Sequence, residues 1–144
     1  MKNSLIALFM AGTLAGLSSC GTARNAAGSI KALDGEWKIT EVDGQGISST
    51  DNGSEAFIGL DVKEMRLYGS TSCNRLLGGF EADAKKGTIS FGQTGSTRMM
   101  CPDMETERKV LDAIGKVTKY EITPDGKMAF KSADGTTVMK LEKK

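Results

Sequence analysis

VTKYEITPDGKMAFKSADGTTVMKL, residues 117–141, holds three short segments separated by two turn signals. In Lys127-Met128-Ala129-Phe130 the apolar side chains fall at every second position, the period of a strand that buries one face. Thr123-Pro124-Asp125-Gly126 and Asp134-Gly135 supply residues that start turns or tolerate positive φ, so Val117 to Ile122, Lys127 to Lys131 and Thr136 to Leu141 read as consecutive antiparallel strands. The same grammar continues upstream. Glu36 to Val42, Phe57 to Val62, Met65 to Tyr68 and Thr88 to Gly92 have strand character, with Thr88-Ile89-Ser90-Phe91 alternating cleanly. Asp34-Gly35, Asp43-Gly44, Asn52-Gly53 and Gly78-Gly79 punctuate them. Seven or eight short strands closely spaced along the chain predict an antiparallel meander that curls toward a barrel.

One segment breaks this pattern. From Cys101 to Gly115 a proline sits in the first turn, acids crowd the positive end and a glycine closes the stretch, which predicts a helix. Met104, Leu111 and Ile114 share one face, while Glu105 and Lys109 are spaced for an i to i+4 pair on the other. The predicted fold is therefore α+β: an antiparallel β-meander forming a sheet or partial barrel with one packed α-helix. The 112 residues from Leu33 to Lys144 suffice for one such domain.

Ahead of this domain the chain reads as an export signal. Lys2 gives a positive start, and Leu5 to Leu17, LIALFMAGTLAGL, is uncharged and too short to span a bilayer. Leu17-Ser18-Ser19-Cys20 then looks like a lipobox, with small residues where a peptidase must admit the backbone and a thiol for diacylglycerol attachment. The reading divides the chain into a signal peptide at 1–19, a lipidated tether at 20–32 and a folded domain at 33–144. The lipid on Cys20 makes the mature protein membrane-tethered without spanning, since two or three acyl chains anchor firmly where one does not. Residues 21–32, GTARNAAGSIKA, would reach about 20 Å as a flexible coil. No aspartate of the inner-membrane retention kind and no acidic export cluster follows Cys20. The implied address is the outer membrane of a Gram-negative envelope, facing the periplasm.

Cleavage removes Lys2, the signal's one charge, and leaves 18 basic and 18 acidic side chains. That balance argues against nucleic acid as a partner. The chain has no histidine, which removes Ser-His-Asp and Cys-His catalysis, most zinc sites and the commonest general base. Cys73 or Cys101 as a nucleophile would need activation by Arg75, Arg98 or a helix N-terminus. In an oxidising periplasm these two cysteines are more simply a disulfide. Met99, Met100, Cys101 and Met104 form a sulfur-rich cluster that could hold Cu(I), but methionine commonly fills irregular core space. Asp51 and Glu55 flank Gly53 without reproducing a calcium-loop spacing. The reading therefore names no catalytic residue, no metal site and no cofactor.

Leu33-Asp34-Gly35-Glu36-Trp37, Gly69-Ser70-Thr71-Ser72-Cys73-Asn74-Arg75 with Gly78 and Gly79, and Thr97-Arg98-Met99-Met100-Cys101-Pro102 resemble the META domain of HslJ-type lipoproteins over the whole stretch from Leu33 to the C-terminus. Two positions depart from the family pattern: Ser72 stands where glycine is usual, and Met100 where alanine is usual. The resemblance implies an envelope lipoprotein linked to heat shock and to tolerance of antibiotics such as novobiocin, with no established chemical activity.

Two functions follow from the residues together with what the resemblance implies. The first is a non-catalytic accessory or stress-related module that binds an envelope protein as a monomer, using Asn74, Arg75 and Arg98, which a Cys73 to Cys101 bridge would gather into one polar patch. The second is a carrier holding a small apolar ligand inside the barrel. Trp37, Phe57, Tyr68, Phe80, Phe91, Tyr120 and Phe130 are enough to fill a small barrel with side chains, which favours the first.

Overall fold

The structure is a computed structural model and describes residues 29–47, 54–102 and 104–144. The stretch read as an export signal, Cys20, most of the expected tether, Asp51 and the expected turn at Asn52-Gly53 lie outside the described residues. Ten strands and one helix make up the rest: β1 (Gly35–Val42), β2 (Gln45–Gly46), β3 (Ala56–Asp61), β4 (Arg66–Thr71), β5 (Arg75–Asp83), β6 (Thr88–Phe91), β7 (Gly95–Ser96), α1 (Glu105–Lys116), β8 (Lys119–Ile122), β9 (Lys127–Lys131) and β10 (Thr137–Lys143). Eight of the strands run as an antiparallel meander in the order β1-β3-β4-β5-β6-β8-β9-β10, and β10 returns to pair with β1 through Trp37 opposite Lys143 and Val42 opposite Met139. The sheet is thus a closed barrel, and no long edge is left for unwanted pairing. The two short strands are accessories, β2 hairpinned onto β1 and β7 laid along β5.

The local chemistry explains most of this. Asp43 and Gly44 both take positive φ, as a two-residue hairpin turn between Val42 and Gln45 requires. Trp37, Ile58, Leu67, Leu76, Tyr120 and Phe130 point inward and are essentially inaccessible, so the interior is a packed core. At the end where β1 begins, a 3-10 turn over Ile30–Leu33 places Leu33 in the core, and its carbonyl accepts the Trp37 indole N–H at 2.8 Å. Among the described residues, Ile30, ahead of Leu33, already packs on the core.

Two sequence expectations are corrected. Gly78-Gly79 is not a turn but the middle of β5, opposite Leu67 and Arg66. A Cβ on Gly78 would come within 3.1 Å of the Gln93 carbonyl, and Gly92 donates its N–H to the Gly79 carbonyl, so the glycines let a following segment press onto the strand. The helix begins at Glu105, after Pro102, and includes Gly115. Its buried face is Glu107, Val110, Ala113 and Ile114, with Leu111 at the margin; Met104 precedes the helix as its N-cap. The Glu105 to Lys109 pair forms at 2.7 Å.

Antiparallel order brings the ends of β1 and β4 and the starts of β5 and β10 to one rim of the barrel, and α1 packs there against β1, β4 and β10. Lys109 donates to Gln45 at 2.7 Å and Lys116 approaches Asp43 at 3.5 Å, tying the helix to the β1–β2 hairpin. The helix caps the barrel end opposite to the one the chain enters.

Candidate functional site

The capped rim is held by a covalent and a polar clamp. Cys73, in the turn between β4 and β5, is bonded to Cys101, just ahead of α1, with their Cα atoms 6.0 Å apart. Beside it Asn74 is 1 % exposed, and its amide is fully used. Its Nδ2 donates to Glu107 Oε2 at 2.6 Å and to the Met99 carbonyl at 3.1 Å, while its Oδ1 accepts from the Met99 N–H at 2.7 Å and from the Thr97 hydroxyl at 2.9 Å. Two donors and two acceptors exhaust what an asparagine side chain offers. Thr71 donates to the same Glu107 oxygen at 3.2 Å. Glu107 is itself buried, and its place in the first turn of α1 sets the carboxylate at the positive end of the helix dipole.

The expected polar patch is therefore corrected in part. Asn74 is no surface residue; it joins the β4–β5 turn, the 97–99 segment and α1 from within. Arg75 and Arg98 are exposed, and among the described residues neither forms an ion pair. Ser72 supplies a second finding. Its φ of 85° lies in the region that favours glycine, and its hydroxyl is buried with no hydrogen-bond partner among the described residues. The backbone keeps the conformation glycine would adopt freely, and serine carries the strain. Met100, the other departure from the family pattern, is 91 % exposed, so nothing limits its size.

Residues that sequence reasoning placed in the core lie outside it. Phe57 and Tyr68 stand on the outer wall of β3 and β4, ring edge to face at 6.5 Å, with Tyr68 lying across Gly59. Burial pushes the Tyr68 phenol pKa up, and the Glu36, Asp34 and Asp61 carboxylates add to this, so the group remains a neutral hydroxyl. Leu77 on β5 is 56 % exposed and Met99 59 % exposed. Together they line an open groove of about 870 Å³ whose other walls include Ser70, Cys73, Arg75 and Thr97. The one detectable signal for it was the neighbouring apolar pair in Arg66-Leu67-Tyr68 and in Arg75-Leu76-Leu77, where only one of each pair can face inward.

Among the described residues that line the groove there is no Asp or Glu, and Arg75 is the one charged side chain. Cys101 is spent in the disulfide and so offers no thiolate to copper, while Met104 Sδ accepts the Cys101 N–H at 3.5 Å. Among the described residues no group of three His, Cys, Asp or Glu is placed to hold a metal ion.

Solved structures share this architecture. The chain is similar to a protein from Burkholderia xenovorans determined by NMR, at 19 % identity and a TM-score of 0.66, covering 100 % of this chain and 99 % of that one. It is also similar to a DUF4847 family protein from Bacteroides vulgatus solved by crystallography, at 10 % identity and a TM-score of 0.59, covering 81 % of this chain and 98 % of that one. At such identities the likeness concerns the fold. No curated protein sequence matches the chain. The family model of the META domain matches residues 30–144, and the chain belongs to the META domain family.

Proposed function

We propose that this protein is a lipid-anchored envelope lipoprotein whose META domain acts as a non-catalytic binding module, an accessory or stress-related component that docks onto another envelope protein. The observation that carries this reading is the rim beside the disulfide, where Arg75, Arg98, Leu77, Met99 and Met100 are exposed on backbone fixed by the Cys73–Cys101 bond and the Asn74 network. Rigid backbone lowers the entropy lost on docking, and arginine is the charged residue most enriched at binding hot spots. Large apolar side chains grouped on an otherwise packed barrel are also a recognised mark of a contact surface. The carrier alternative draws no support from the barrel interior, which its own side chains fill.

Replacing Arg75 and Arg98 together with alanine is expected to leave thermal stability within about 0.5 kcal/mol while in-cell crosslinking to the partner drops. Undiminished crosslinking by the folded double variant would move the interface elsewhere. The anchor is tested separately. Cys20→Ser should abolish incorporation of labelled lipid and leave unprocessed precursor; lipid on that variant would end the lipoprotein reading.

A further inference from the structure

We infer that the outer groove between the Phe57–Tyr68 wall and Met99 binds an extended peptide segment of the partner, one with a carboxylate set among apolar side chains. This rests on the binding-module reading above and names what such a module would recognise. Three observations lead to it.

The first is shape. About 870 Å³ is ample for a ligand, but the groove is open along the barrel wall, which suits a chain running through it better than a small molecule that must be engulfed. The second is chemistry. Phe57, Tyr68, Leu77 and Met99 offer apolar contact, Ser70 a hydroxyl and Arg75 a single positive charge. With no carboxylate among the described lining residues and no ion-pair partner for it among the described residues, the Arg75 guanidinium is complementary to one incoming carboxylate, which it can hold with two parallel hydrogen bonds. The third is preorganisation. The Arg75 N–H donates to the Thr97 hydroxyl at 3.0 Å and the Thr97 N–H to the Arg75 carbonyl at 3.1 Å, so the Met99 wall is fastened to β5 before any ligand arrives.

Topology favours a protein over a lipid surface as occupant. The Ile30–Leu33 turn leads into the start of β1 at one end of the barrel, whereas the groove runs along the strand ends at the opposite, helix-capped rim. A domain tethered from its entry end carries this rim on its far side.

The test uses the purified mature domain and a phage-displayed library of random heptapeptides, with enriched sequences resynthesised and measured by fluorescence anisotropy. Enriched peptides should carry an acidic residue flanked by apolar ones. Arg75→Glu should weaken them at least about tenfold, and a peptide with its acid changed to lysine should regain affinity for that variant. Leu77→Ser should weaken binding about threefold or more, while Arg66→Glu, at the far end of β4, should leave it unchanged. Matching thermal melts show that each variant is folded. Absence of enrichment, indifference to Arg75→Glu, or equally tight binding to vesicles of phosphatidylethanolamine and phosphatidylglycerol would overturn the inference. A persistent in-cell crosslink without peptide binding would sink this inference alone. Peptide binding that obeys the charge swap, with no crosslink in cells, would uphold the chemistry and sink the module reading instead.

Discussion

Asn74→Ala is expected to destabilise the domain by about 3–5 kcal/mol, more than any other single polar substitution at the capped rim. The deletion removes both donors and both acceptors of a side chain that is 1 % exposed. It leaves the Met99 N–H, the Met99 carbonyl and the Thr97 hydroxyl without their amide partner and strips Glu107 of its 2.6 Å hydrogen bond. A neutral hydrogen bond contributes about 1 kcal/mol net and one to a charged group about 1.5–3, and groups orphaned by removal of a single partner cost the most. Water entering the small void would recover part of this, which sets the lower figure. Urea unfolding of the variant should show a lowered midpoint at an unchanged slope. The pairing with Glu107 gives the argument a sign that can be checked. In Asn74→Ala with Glu107→Ala the orphaned carboxylate is gone as well, so the double variant should lose less than the sum of the two single losses. A single-variant cost below about 1 kcal/mol, or strict additivity, would show that the network has less hold on the rim than its geometry indicates.

Removing the Cys73–Cys101 bond should cost about as much by a different route. The bridge closes a loop with a sequence separation of 28, and in the chain-entropy model such a cross-link stabilises by about 3.5 kcal/mol through the unfolded chain. For a domain of this size that corresponds to a fall in Tm of about 10–20 °C for Cys73→Ala with Cys101→Ala. The oxidised protein should also show no thiol at either position when alkylated without reductant. Quantitative labelling of both, or a melt within about 2 °C of the parent, would contradict the assignment. Because the bridge joins the β4–β5 turn to the segment ahead of α1, the bond-free variant should lose packing of the helix end first. Amide exchange in α1 should accelerate more than in β9 or β10, which the bridge does not touch.

Several parts of this molecule were legible because they are local. Strand positions such as Lys127–Lys131 follow from a period of two, and the Asp43-Gly44 hairpin from positive φ at both residues, each settled within a few positions along the chain. The Glu105–Lys109 pair is likewise a matter of helical spacing. That Arg75 and Arg98 stand beside the cysteines is plain from the sequence, and the structure shows both exposed. Asn74 was misread because turn asparagines are usually solvated; what buries it is the 97–99 segment and Glu107, about 25 and 33 positions away. Phe57 and Tyr68 were misread because each stands next to another apolar residue, Ile58 and Leu67, and alternation cannot say which of two neighbours faces inward.

By itself, then, the sequence determined that the chain is a β-meander interrupted by one helix, that it has no histidine chemistry, and that the two cysteines of the domain stand 28 positions apart. Tertiary structure alone decided that the meander closes, since β1 and β10 meet only when Trp37 lies opposite Lys143, more than a hundred residues later. It also decided which face of β3, β4 and β5 is outside, and with it the existence of the groove. The physical reason is the same in both cases. Turn and strand preferences are fixed by a residue and its neighbours, whereas closure and facing depend on the register between distant strands, where a shift of one residue reverses every side chain.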